Sequence, residues 1–191
     1  MKKQLSSFSL VIGLLLALSV FSASAHDGVK LRAKLVGAQE VPVVSTQATG
    51  DFEARIDSDG SVSYKLSYEG LEGGSTLFAH IHLGQRSVNG GIMAFLCGGG
   101  TKPAACPGPS GTVEGTIAAT DIVGLATQQV PAGAFEEFVR ALRNGTAYVN
   151  VHTTASPGGE IRGQIRDDNG RRNGPGRRDD DDHYNHGRRN Y

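Results

Sequence analysis

The sequence predicts an all-β protein: an antiparallel Greek-key β-sandwich or barrel with one short covering helix. Three observations predict it. Apolar residues between His26 and Ile165 recur with a period of two in several short runs. Glycine-rich turns punctuate those runs, and the chain carries 27 glycines in 191 residues. One segment alone breaks to a helical period.

The first run is Val29, Leu31, Ala33 and Leu35, alternating with Lys30, Arg32 and Lys34. The second is Phe52, Ala54 and Ile56 between Glu53 and Arg55. Asp57-Ser58-Asp59-Gly60 then reads as a turn into Val62, Tyr64, Leu66 and Tyr68, which alternate with small and charged residues. Such alternation puts one face on a core and one in water, so the two runs read as a hairpin. Further strands are expected over Thr76 to Leu83, Gly91 to Cys97, Thr112 to Ala118, Thr146 to Thr153 and Glu160 to Ile165. Between Ala132 and Arg143, Phe135, Phe138, Val139 and Leu142 recur at helical spacing, and Gly145 follows as a C-terminal stop. That segment is expected to cover an open end of the sheet.

Both chain ends differ from this core. Met1-Lys2-Lys3, the apolar stretch Leu10 to Val20 and the small residues Ala23-Ser24-Ala25 have the layout of a signal peptide over residues 1–25. Its apolar run is too short for a transmembrane anchor. Cleavage near Ala25 would place the mature chain in the periplasm or outside the cell, starting at His26. From Arg166 to Tyr191 the chain holds seven Arg, six Asp and almost nothing apolar, which reads as a disordered charged tail. The organisation is therefore a signal peptide (1–25), one β domain (26–165) and a tail (166–191).

Formal charge is zero, which leaves no basic excess to neutralise phosphates and argues against nucleic acid. There is no GxSxG nucleophile elbow and no phosphate-binding Gly-Lys loop, so no residue is assigned a catalytic role. Cys97 and Cys106 are the only cysteines. In an exported chain they read most simply as one disulfide; a metal or redox pair is the competing reading, though the CxxC spacing is missing. Asn144-Gly145-Thr146 is a formal glycosylation sequon, equally well explained as a helix stop.

The chemistry lies in the histidines. His80 and His82 share one face of a strand, about 6.6 Å apart along it. Tyr148, Asn150 and His152 share a face near the end of the core, and Glu160, Arg162 and Gln164 share another. Ala155-Ser156-Pro157-Gly158 is short enough to pair these last two strands as a hairpin. If the strand with His80 and His82 lies beside them, three imidazoles converge and suit Cu²⁺ or Zn²⁺. The structural alternative has the histidines packed on the sheet, bonded to Glu160, Asn150 or backbone, with Glu160 and Arg162 as a plain surface pair. An N-terminal His26 would offer a separate amine–imidazole chelate.

Several blocks resemble one family. Leu35-Val36-Gly37-Ala38-Gln39-Glu40-Val41-Pro42, Ala79-His80-Ile81-His82-Leu83-Gly84 with Asn89-Gly90, Tyr148-Val149-Asn150-Val151-His152-Thr153 and Gly159-Glu160-Ile161-Arg162-Gly163-Gln164 resemble the CHRD domain, the module named after chordin. The resemblance spans about Val29 to Ile165 and implies an extracellular β-rich module, without an established activity. A more distant likeness is to copper/zinc superoxide dismutase, which would map three copper ligands onto His80, His82 and His152. The bridging histidine of that enzyme has no counterpart, since no histidine occurs from Leu83 to Val151. Two function classes result. One is an exported non-catalytic binding or matrix module, with an extracellular or periplasmic protein or matrix partner. The other is a copper- or zinc-binding protein, redox-active in the manner of superoxide dismutase.

Overall fold

A computed structural model describes residues 28–168. The expected signal peptide, His26 and the expected tail beyond Asp168 lie outside the described residues. Strands β1 (Val29–Val36), β2 (Thr49–Ile56) and β3 (Val62–Glu69) form an antiparallel meander. It is followed by β4 (Thr76–Leu83), β5 (Gly91–Cys97), β6 (Gly111–Ile117), helix α1 (Phe135–Arg143), β7 (Ala147–Thr153), β8 (Ile161–Gln164) and β9 (Arg166–Asp167). All join one sheet in the order β5-β4-β7-β8-β1-β2-β3-β6, with β9 paired to β1. The outermost strands β5 and β6 approach each other, and the Tyr64 hydroxyl on β3 donates to the Leu96 carbonyl on β5 at 2.9 Å. The result is a nearly closed antiparallel barrel, as the period-two runs predict.

The inward residues are those the alternation selects: Leu31, Ala33 and Leu35 on β1, Phe52, Ala54 and Ile56 on β2, and Val62, Leu66 and Ile117 on β3 and β6. From the other half come Ala79, Ile81, Val149, Val151 and Ile161. Helix α1 adds Phe138, Ala141 and Leu142 to the same core. It starts three residues later than its periodicity predicts, because Gly133 takes a left-handed conformation (φ 78°) that a helix cannot continue through. Gly145 ends it at φ 67°, with Asn144 as its cap.

The two halves of the barrel treat their outer faces differently. On β1, β2 and β3 the outward residues are mostly exposed and carry ion pairs such as Lys34–Asp51 and Lys65–Glu114. On β7 all seven residues are buried. Outward-facing His80, His82, Tyr148, Asn150, His152, Arg162 and Gln164 are therefore enclosed beneath the segments 37–48, 84–90 and 154–160. Two register shifts in the β4–β5 pairing, between Ala79 and His80 and between Ile81 and His82, bracket the two histidines. Such bulges commonly re-aim side chains beside sites.

The sheet also runs past Ile165, where the charged tail is expected to begin. Arg166 and Asp167 pair with Arg32 and Leu31, the Asp168 amide donates to the Lys30 carbonyl, and Asp168 meets Arg32 at 3.1 Å. Cys97 and Cys106 are joined as a disulfide.

Candidate functional site

The site is built from two neighbouring strands that lie far apart in the chain. In the β4–β7 register Phe78 faces His152, His80 faces Asn150 and His82 faces Tyr148. His152 is thus diagonal to His80, and the three imidazoles come together. One ligating nitrogen from each of His80, His82 and His152 lies within 4.8 Å of the others. Exposure is 2% for His80, 7% for His82 and 5% for His152.

The backbone sets the direction in which each ring points its lone pair. His82 Nδ1 lies 3.0 Å from the Gly90 carbonyl, and His152 Nδ1 lies 3.0 Å from the Pro157 carbonyl. A carbonyl only accepts, so both Nδ1 atoms carry the proton and both Nε2 atoms present lone pairs. His80 Nδ1 sits 3.2 Å from His82 Nε2 and donates to it. His152 Nε2 is buried and has no hydrogen-bond partner among the described residues. A buried acceptor left unpaired costs about 1–3 kcal/mol.

Burial also keeps the rings neutral. It presses the His80 pKa down to about 3, with the neighbouring His152 and His82 adding to the effect. His82 falls to about 4 through burial, which the Gly90 carbonyl opposes and His152 and Arg162 reinforce. His152 is lowered by burial against the pull of the Pro157 carbonyl. At neutral pH the cluster holds no proton in excess, the state in which imidazole binds metals.

Aromatic rings pack around the cluster. Phe78 lies 4.7 Å from His80 and 4.8 Å from His152, and Phe95 meets His80 edge-on at 4.6 Å. Tyr148 stacks parallel on His82 at 4.7 Å, while the Arg162 guanidinium lies 3.4 Å above the Tyr148 ring. These separations are too small for both groups to share one face, so Tyr148 is sandwiched between them. Arg162 also donates to Asn89 Oδ1 and to the carbonyls of Gln85 and Val88. Asn89 in turn donates to the Val41 carbonyl. One buried side chain therefore pins the 84–90 segment, and through it the 37–48 segment, over the sheet.

Glu160 does not contact the histidines as the sequence leads one to expect, nor does it pair with Arg162 at the surface; both are buried at 1% exposure. Its Oε1 accepts from Thr46 Oγ1 (2.9 Å) and the Glu72 amide (2.7 Å), and its Oε2 from the Gly73 amide (3.0 Å) and Thr153 Oγ1 (2.8 Å). Burial alone would raise its pKa, but these four donors outweigh it and hold the carboxyl below the usual range. Asn150 donates to the Gly158 carbonyl, not to a histidine. Gln164 Nε2 faces the carbonyls of Gly84, Gly145 and Ala147.

Glu40 is a buried acid beside the site that period and spacing do not single out. It lies on a non-periodic turn, is buried, and is pushed up to about 7 by burial against the attraction of Arg162. Its Oε1 is buried without a hydrogen-bond partner among the described residues, as is Asn150 Oδ1. A Cβ on Gly159 (φ 125°) would stand 2.5 Å from Glu40 Oε1 and 2.4 Å from Asn150 Oδ1, so the position admits glycine only. The conjunction of Glu40 with Gly159-Glu160 was visible only as two blocks of the CHRD resemblance.

No solved structure matches the chain. Among protein families, the CHRD domain matches residues 31–165, from the first core residue of β1 to the last of the barrel. That span includes every strand of the site just described, and the chain belongs to the CHRD domain family.

Proposed function

We propose that this domain is a non-catalytic binding module whose ligand is a single copper or zinc ion, held by His80, His82 and His152. The observation that carries the reading is the buried, unpartnered Nε2 of His152 in a trio of imidazoles whose ligating nitrogens lie within 4.8 Å of one another. The edge between His80 Nδ1 and His82 Nε2, at 3.2 Å, already approaches the ~3.4 Å separation of two nitrogens on a tetrahedral zinc. Closing the remaining edges takes a shift of about 1 Å or slightly more on the same bond lengths. Holding the ion would require His80 to carry its proton on Nε2 instead of Nδ1, which is a tautomer change with no net proton released. Gly90 and Pro157 act as the outer partners that orient ligand rings. The disulfide and the signal-like N-terminus support a place in the periplasm or outside the cell, where a protein or matrix partner would be met.

The test is metal analysis of the purified mature protein after exposure to Cu or Zn. One equivalent should bind to wild type and none to His152→Ala. His152→Gln serves as a second variant in case alanine unsettles the sheet, with circular dichroism as the check on folding. Equal metal content in wild type and a folded variant would refute the site.

A further inference from the structure

We propose that the cleft between the 37–48 and 84–90 segments is a second binding site, separate from the histidines, for a small hydroxy carboxylate with an apolar body. The cleft has a volume of about 330 Å³. Glu40, Arg162 and Gln164 form its buried floor, and Val43, Arg86 and Ser87 stand at its exposed rim.

Charge gives the first argument. The charged residues lining the cleft are Arg86, Arg162 and Glu40, so one positive charge stays uncompensated even with Glu40 ionised. Neither arginine takes part in an ion pair among the described residues. Burial lowers the Arg162 pKa against the pull of Tyr148 and Glu40, and the like charge of Arg86 adds to the lowering. Two guanidiniums that repel each other across one cleft are relieved by an anion, and a carboxylate matches the guanidinium fork.

The second argument is the supply of acceptors without donors on the floor. Glu160 is a buried acid with four donors, and its pKa is held below the usual range. Glu40 is a buried acid with no donor on Oε1, and burial pushes its pKa up to about 7 against Arg162, the Val41 amide and Asn150. Gln164 Oε1 is likewise buried and unpaired. A plain anion would leave these acceptors as they are, whereas a hydroxyl beside the carboxylate supplies the missing donor.

The rim completes the match. Val43 is 68% exposed, the most exposed large hydrophobic side chain among the described residues, and an apolar ligand body would cover it. Ser87 holds the left-handed φ of 62° between Arg86 and Val88, a strained conformation of the kind that gathers at ligand clamps.

The experiment is a calorimetric and NMR titration of the full mature chain, disulfide intact and without added metal. The probe is 2-hydroxy-3-methylbutanoate, which should bind with a dissociation constant of about 1 mM or tighter and shift the amide signals of Val43 and Ser87. Two analogues test the two halves of the argument. Both 3-methylbutanoate, which lacks the hydroxyl, and 2-hydroxy-3-methylbutanamide, which lacks the charge, should bind at least about tenfold more weakly. Arg86→Gln, at an exposed position, should keep the fold and weaken the probe by about tenfold. No saturable binding of the probe, shifts confined to other parts of the chain, equal binding of the three compounds, or equal binding by wild type and a folded Arg86→Gln would each overturn the proposal.

Discussion

Replacing Glu160 with glutamine tests the logic of the enclosure without touching a histidine. The two side chains have nearly the same shape, so the substitution changes charge and acceptor count alone. In the native chain one carboxylate accepts four hydrogen bonds, from Thr46, Glu72, Gly73 and Thr153, at 2.7 to 3.0 Å. Glutamine keeps one oxygen and turns an NH₂ group toward two of those donors. Two charge-assisted bonds are lost, worth about 1.5–3 kcal/mol each, and the other two weaken to neutral strength. Rehydration recovers part of this, because Glu72 is exposed and the two hydroxyls can rotate. The net expected loss is about 3–4 kcal/mol, or about 10 °C in melting temperature for a domain of this size. The pH dependence separates the charge from the shape. The folded pKa of Glu160 lies below its unfolded value near 4.5, so its stabilisation is complete above that value and is lost as pH falls through the folded pKa. Urea melts of both proteins from pH 7 to pH 3 should show a gap that is full at neutral pH and closes in acid. A gap under about 1 kcal/mol at pH 7, or one that persists unchanged to pH 3, would refute the argument.

The histidine cluster should make the metal-free protein acid-sensitive from a higher pH. With folded values of about 3 for His80 and about 4 for His82 against an unfolded value near 6.5, the unfolded chain binds more protons in between. Unfolding free energy should therefore fall by up to ~1.4 kcal/mol per pH unit per histidine below pH 6.5; a flat profile down to pH 4 would contradict this. Arg162→Lys should cost about 2–4 kcal/mol in a denaturant melt, because lysine loses both the flat stack on Tyr148 and the fork that reaches Asn89, Gln85 and Val88. A change under 0.5 kcal/mol would show that the guanidinium geometry is immaterial. A chain ending at Asp168 should melt with the full mature protein, whereas one ending at Ile165 loses β9, the Arg32–Asp168 pair and the bond to Lys30, and should melt a few degrees lower. Identical melting of the two truncations would show that β9 adds nothing.

Strand identity and facing were legible because a period of two needs no tertiary information. Parity alone places His80 with His82, and Tyr148 and Asn150 with His152. It does not say that β4 lies beside β7, because 69 residues separate His82 from His152 and two further strands and the helix intervene. Nor does parity tell a wet outer face from a covered one. Glu160, Arg162 and Gln164 read as surface groups because a polar outer face on an antiparallel sheet normally meets water. What covers them is aperiodic chain: the segments that hold Glu40, Thr46, Asn89 and Gly90, pinned by side-chain hydrogen bonds to Arg162 and Glu160. Bonds of that kind depend on loop paths, and a turn-rich stretch such as Gly84 to Gly91 offers no repeat from which to infer a path.

The loop closed by Cys97 and Cys106 shows what a disulfide adds to the enclosure around the histidines. Gly99 and Gly100 lie so close to the Phe95 ring that a Cβ on either would stand 2.7 or 2.5 Å from it, and Phe95 in turn flanks His80. Thr101 and Lys102 anchor the middle of that loop on Asp121. Its ends are tied by the disulfide and by hydrogen bonds from the Gly98 amide to the Ala104 carbonyl and between Gly99 and Lys102. The cross-link is thus one tie among several, and a chain with reduced thiols keeps backbone bonds that hold the loop against Phe95. The sulfurs fasten covalently a path that the backbone already bonds.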